Sequence, residues 1–324
     1  MARNTFRGFV CAALLSAIAG CGGNEVAGPP GDTGGEHLVV FVTDRGQPGN
    51  TEIALYDLDE SGFRSLANLN NTASDLEPCL SEDGNFIVWA SNRAGGSGGY
   101  DILFYDRGAQ ALAALPGLNS GLDERRPRFA RGSQRLGYVF DSLGSARIRL
   151  YEPVGDTLIR LPGLSAAPGQ SDDQPALDET GDRIAFVSDR TGRRQLHVWN
   201  RTAGTPVQPA GLAGDSTDAA PSLSRNGRYL AFASNRTGGA GGWDVYLYDL
   251  TTSAFVPLPG LNTSADERSP SIGNDGMRLI FSSDRPGGAG GLDLYRYELS
   301  GGVVSQPSGF RSAALDDMPY LRWR

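Results

Sequence analysis

The feature that most constrains this chain is a phrase it repeats. Residues 91–106 read SNRAGGSGGYDILFYD, residues 234–249 read SNRTGGAGGWDVYLYD, and residues 283–298 read SDRPGGAGGLDLYRYE. Each phrase sits in a longer unit that opens on a proline. Those prolines are Pro78, Pro127, Pro175, Pro221, Pro270 and Pro319, spaced by 49, 48, 46, 49 and 49 residues. A fixed period of this size signals a repeat array, and the four-stranded blades of a propeller fall near it.

Each unit reads as four short strands. The first follows the proline (PCLS, PSLS) and runs into a tight hairpin turn: Asp83-Gly84, Thr180-Gly181, Asn226-Gly227 or Asp275-Gly276. The second strand is centred on an aromatic residue, Trp89, Tyr138, Phe186, Phe232 or Phe281. The glycine-rich loop then leads to a third strand bearing Tyr105, Tyr151, Trp199, Tyr248 or Tyr297. A fourth strand is expected to end in LPGL or a near copy, at Leu115, Leu161 and Leu258. No stretch of the body has convincing helical periodicity. The 45 glycines fit many tight turns.

The two ends of the body complete one another. HLVVFVTDR at the start is a second strand with no first strand before it, and Phe41 and Tyr56 fill its aromatic positions. DMPYLRWR at the finish is a first strand with nothing after it. Together they make one blade, so the expected fold is all-β: a six-bladed β-propeller over residues 37–324, closed by pairing of the N- and C-terminal strands. Closure removes exposed sheet edges, which an open array would leave bare.

The consensus PxxSxDGxxIxxxSxRxGG…DIxxYD resembles the WD40-like repeats of TolB-type six-bladed propellers, from about His37 to Arg324. The resemblance implies a fold, not one activity. TolB itself carries an α/β domain ahead of its propeller, to which nothing here corresponds. TolB-like propellers bind protein segments at the channel mouth, and related repeats occur beside peptidoglycan-binding domains. Other relatives are fused to serine peptidases or are metal-dependent polysaccharide lyases with histidine-rich channel sites.

Residues 1–20 read as a signal peptide: Arg3 and Arg7, an apolar run from about Phe9 to Ala19, then Ile18-Ala19-Gly20-Cys21. The run is too short to span a bilayer. Small residues before a cysteine resemble the lipobox of bacterial lipoproteins, which implies lipidation at Cys21 and anchoring by several acyl chains. Gly22 follows, and in Gram-negative relatives the lack of an aspartate there favours the outer membrane. Residues 21–36 have the composition of a flexible tether, reaching about 20 Å as a random coil.

Charge and residue supply exclude several chemistries. Net charge is −8, which argues against nucleic acid as a partner. All 29 basic residues are arginine, so no Schiff-base, P-loop or general-base lysine exists. The two histidines, His37 and His197, are far apart in sequence, and Cys79 is the one thiol inside the body. His37 reads as a surface residue, His197 as a residue packed within a blade, and Cys79 as a small buried one. No metal, cofactor or catalytic set is expected. A peptidase reading lacks an α/β-hydrolase segment, and a lyase reading lacks clustered histidines.

Two sets of repeated residues are candidates for function. A carboxylate precedes every opening proline by three positions: Asp75, Glu124, Asp172, Asp218, Glu267 and Asp316. In this topology they are expected to ring one mouth of the central channel. Arg45, Arg93, Arg190, Arg236 and Arg285 hold one position after the second strand and suit bidentate pairing with that ring. In the third blade Ser142 stands there instead, with Arg125, Arg126 and Arg128 near in sequence. The ring reads either as ion pairs holding blades in register or as a charged mouth for a partner's peptide. Tyr100 and Trp243 occupy equivalent loop positions beside the glycine doublets and could stack on a sugar or pack on the neighbouring loop. The leading expectation is a lipid-anchored, non-catalytic propeller that binds envelope proteins or peptide segments. The alternatives are a glycan- or small-ligand-binding propeller and a hydrolase using ring carboxylates.

Overall fold

The computed structural model describes residues 36–323 except 114, 116, 143 and 166. The residues read as signal peptide, Cys21 and those read as tether through residue 35 lie outside the described residues. Among the described residues, no helix is long and apolar enough to cross a membrane.

The chain forms six antiparallel sheets, named here blades 1–6 by the place of their second strand. Blade 1 pairs the C-terminal strand Asp316–Arg322 with Leu38–Thr43, followed by Glu52–Asp57 and Gly62–Arg64. Its closing register runs Leu38 to Arg322, Val39 to Leu321, Val40 to Tyr320 and Thr43 to Asp316. The innermost strands of blades 2–6 are Asp75–Leu80, Asp123–Phe129, Asp172–Leu177, Asp218–Leu223 and Glu267–Ile272. The innermost strands pack against their neighbours in a closed circle.

Three details differ from the sequence reading. The LPGL segments follow the fourth strands as turns; those strands are three-residue pieces such as Ala111–Ala113 and Ala254–Val256. Blade 4 has three strands, its fourth reduced to a bridge between Val198 and Val207. Pro206 and Pro209 flank that bridge. Each lacks the amide hydrogen that a ladder needs. Glu36, read as tether, is tied to the body: its carbonyl accepts from Arg322 Nη1 at 2.8 Å and its carboxylate lies 3.4 Å from Arg107.

The core lies between blades. All twelve aromatic positions are at most 2% exposed, from Phe41, Trp89, Tyr138, Phe186, Phe232 and Phe281 to the third-strand set. Third-strand rings also fasten blades through their polar tips. Tyr105 Oη donates to Ala67 O at 2.8 Å, Trp199 Nε1 to Pro162 O at 3.0 Å, and Tyr248 Oη to Ala210 O at 2.7 Å. An apolar ring with one satisfied donor suits a seam between two sheets.

Candidate functional site

The inner strands carry a feature that sequence reasoning missed. Each has a bulge at the residue before its opening proline. All six of these residues are left-handed: Glu77 (φ 59°), Arg126 (56°), Gln174 (52°), Ala220 (49°), Ser269 (46°) and Met318 (51°). For residues with a Cβ this costs roughly 1–2 kcal/mol each. The proline that follows cannot extend the ladder, so the strand is already interrupted there. The same six residues line a central cavity of about 140 Å³, which is the propeller channel.

The channel is polar on one side and neutral on the other. Arg126 receives Glu77 from blade 2 and Asp173 from blade 4; its Nε donates to Glu77 Oε1 at 2.9 Å. Burial opposes the Arg126 charge, but Asp173 and Glu77 outweigh it and hold the guanidinium above its ordinary value. Burial likewise acts to raise Asp173, and Arg126 with Arg194 outweighs it, leaving the carboxyl low. Glu77 and Gln174 also reach sideways: Arg126 N donates to Glu77 Oε2 and Ala220 N to Gln174 Oε1, at 2.9 and 2.8 Å. Blades 5, 6 and 1 contribute Ala220, Ser222, Ser269, Ser271 and Met318.

A side-chain network spans one end of the channel. The turns after the inner strands send Glu82, Arg131, Glu179, Arg225 and Asn274 across the axis. Arg131 Nη1 donates to Asn274 Oδ1 at 2.6 Å, and Asn274 Nδ2 to Glu82 Oε2 at 2.9 Å. Arg225 bridges Glu82 at 3.2 Å and Glu179 at 2.7 Å. Five blades therefore meet in one side-chain network. Blade 1 joins it through Arg322 Nε, which donates to Glu82 O at 2.7 Å.

The six ring carboxylates start the inner strands at the opposite end, but none faces solvent: each is 0% exposed. Five are bonded within their own blade to the expected arginine. Arg93 lies 3.2 Å from Asp75, Arg190 2.6 Å from Asp172, Arg236 3.1 Å from Asp218 and Arg285 3.0 Å from Glu267; Arg45 pairs with Asp316. Second-strand hydroxyls complete the set, Ser188, Ser234 and Ser283 donating to Asp172, Asp218 and Glu267. Four of these arginines also hold the preceding inter-blade loop, through Leu69 O, Leu164 O, Leu261 O and Gly309 O. The charged mouth expected from sequence is thus enclosed inside the blades.

Glu124 is the exception. Ser142 leaves it without the paired arginine, and its hydrogen bonds come from Ser120 N and Oγ. Burial pushes its carboxyl up, with the Asp101 charge adding to the rise and Arg149 opposing it. The nearby cation is therefore Arg149 on the third strand, and not Arg125, Arg126 or Arg128.

Tyr100 and Trp243 are half-buried, each with one face covered by the next blade. Arg125 lies 3.6 Å over the Tyr100 ring and Arg268 5.2 Å over Trp243. The glycine doublets beside them form clasps. Asp101, Asp244 and Asp293 accept loop amides from Ser97, Ala240 and Ala289 at 2.9, 3.1 and 2.7 Å. A Cβ at Gly98 would lie 1.9 Å from Leu122 O, and one at Gly241 2.1 Å from Ala265 O, both backbone of the next blade.

Cys79 is fully buried, and its Sγ accepts from Phe129 N at 3.2 Å, a rung that Ser222 and Ser271 repeat toward Ile272 N and Leu321 N. Burial raises its thiol. His197 is buried against Phe186, and burial lowers its imidazole. His37 stacks on Trp323 at 3.8 Å and bonds Asp59. Neither histidine lines the channel, and no group of three or more metal-ligating side chains occurs among the described residues.

Six blades around a channel spanned by side chains at one end define this chain as a closed propeller. Its fold is similar to that of TolB from Acinetobacter baumannii, with a TM-score of 0.67 and 19% identity over 91% of this chain and 68% of that one. It is similar to a putative TolB from Agrobacterium tumefaciens, with a TM-score of 0.58 and 13% identity over 90% of this chain and 99% of that one. Hydrazine synthase of Kuenenia stuttgartiensis shares the fold at a TM-score of 0.65 and 15% identity, over 90% of this chain and 47% of its own. No family model matches the sequence. No curated protein matches it either.

Proposed function

We propose that this chain is a lipid-anchored, non-catalytic propeller of the bacterial envelope that receives a segment of a partner protein at the open mouth of its channel. The observation that carries the reading is the channel itself. Its lining differs in residue type from blade to blade, whereas the ring and the aromatic core repeat. Structure needs the repeated positions; recognition of one asymmetric partner uses the varied ones. The likeness to the TolB propellers supports the partner class, the lipobox residues ending in Cys21 support lipid anchoring, and Gly22 after it supports the outer membrane. Glu77 is the one carboxylate among the lining residues and is held by Arg126, which disfavours a hydrolase.

A glycan reading is favoured by one observation, the recurrence of an arginine-stacked aromatic at Tyr100 and Trp243. Each ring keeps only its outer face for a sugar.

The test is capture of proteins from detergent-solubilised envelopes by the full-length chain and by Ser269→Trp, which fills the channel. A partner retained by the native chain and lost with a variant of unchanged melting supports the reading. Equal capture by both removes the channel from the account, and sensitivity only to Tyr100→Ala with Trp243→Ala moves the site to the loops.

A further inference from the structure

Residues 124–131 read ERRPRFAR. They place Arg126, Arg128 and Arg131 along the channel lining, with Arg125 over the Tyr100 ring of blade 2, from the start of blade 3's inner strand to the turn beyond it. Every other blade has at most one arginine at these four register positions. Two of the four face carboxylates: Arg125 lies 3.5 Å from Asp123, and Arg126 pairs with Glu77 and Asp173. The other two line the cavity and have no carboxylate at ion-pair distance among the described residues. Arg128 Nη1 donates to the carbonyls of Pro127 and Glu77, at 2.8 and 3.1 Å. Arg131 is 4% exposed and bonds Asn274 Oδ1, with Leu321 O at 3.4 Å. Facing them are alanine, serine and methionine side chains, with the Tyr320 ring 5.0 Å from the Arg131 guanidinium.

Arg131 is enclosed and Arg128 half-buried, each without an anion among the described residues, which is unfavourable in a chain with a net charge of −8. From this we infer that the channel is a receptor for a carboxylate of the partner polypeptide, seated on Arg128 above Arg131. Guanidinium forks match carboxylate geometry and keep their charge at any physiological pH. The network of Glu82, Arg131, Glu179, Arg225 and Asn274 lies across the far end of the channel. The occupant therefore enters from the mouth with an end or a side chain leading, as a C-terminal carboxylate or an Asp or Glu side chain. This inference rests on the channel-binding reading above.

The test uses the full-length chain in detergent and random-sequence peptides immobilised in two ways. One set presents free C-terminal acids, and the other is tethered through its C-terminus. Preference for free acids identifies a terminus, and enrichment of Asp and Glu in the tethered set identifies a side chain. In either case Arg128→Gln weakens the best peptide about tenfold, which is about 1.4 kcal/mol, at unchanged melting temperature, and added salt weakens it further. Retained peptides with neither preference, no retained peptide at all, or affinity indifferent to Arg128→Gln each overturn the inference. A peptide displaced by Ser269→Trp yet showing no acid preference overturns this inference alone. Binding indifferent to both variants removes the channel reading as well.

Discussion

Arg131 of blade 3 and Asn274 of blade 6 meet across the channel axis, Nη1 to Oδ1 at 2.6 Å, from turns on opposite sides of the ring. Asn274→Ala leaves the enclosed guanidinium short of its side-chain acceptor and detaches Glu82. The expected loss is about 2 kcal/mol in denaturant unfolding. Adding Arg131→Met recovers most of it, because the orphaned donor is gone. A double variant as unstable as the sum of the two singles would show that the contact carries no coupling.

Glu124 and Glu267 occupy the same register position and respond oppositely to conversion into glutamine. Burial raises the Glu124 carboxyl above its ordinary 4.5, so the folded state favours the protonated form. Its contribution is favourable below that value and is lost as pH climbs through the raised one. Glu124→Gln therefore stabilises at neutral pH, and the gain disappears in acid. Glu267→Gln strips the carboxylate from Arg285, at 3.0 Å, and costs on the order of 3 kcal/mol. Thermal melts across pH check both signs.

Asp173 titrates in the other direction. Although burial alone would raise it, Arg126 and Arg194 hold it below its ordinary 3.8. The stability it adds is present above that value and fades as pH falls through the depressed one. Asp173→Asn is expected to lower stability at neutral pH and flatten the acid limb of the stability profile. An unchanged acid limb would contradict the salt-bridged wall.

The glycine clasps predict a contrast between two positions in equivalent loops. Gly98→Ala drives a methyl into the Leu122 carbonyl, whereas nothing lies within 4 Å of a Cβ at Gly291. The first is expected to cost about 2 kcal/mol and the second to fall within about 0.5 kcal/mol of the parent. Comparable losses at both would mean that backbone freedom, and not the packing of one blade on the next, is what the glycines provide.

Legibility in the sequence followed repetition. The twelve aromatics, the closing strands and the carboxylate–arginine pairs could be read because each contact is made in blade after blade. Burial of the ring could not: a charged residue every blade reads as a rim until the hydroxyls of Ser188, Ser234 and Ser283 are seen to complete its shell. Arg149, whose charge only partly opposes the rise of Glu124, was hidden because it sits on a different strand. The channel lining was invisible for the opposite reason. Glu77, Arg126, Gln174, Ala220, Ser269 and Met318 share a backbone conformation and not a residue type. Variation at a fixed register beside the opening proline was the available signal, together with the arginine run at 124–131.

The most direct measurement is photo-crosslinking in intact envelopes. A crosslinking amino acid replaces Ala219, the second residue of the blade 5 inner strand and neighbour of channel-lining Ala220, or Thr252, exposed on the outer turn of the same blade. The account predicts a discrete partner adduct from position 219 that Ser269→Trp abolishes, and none from position 252. Adducts from position 252 alone, or adducts from position 219 that survive a filled channel, would contradict it.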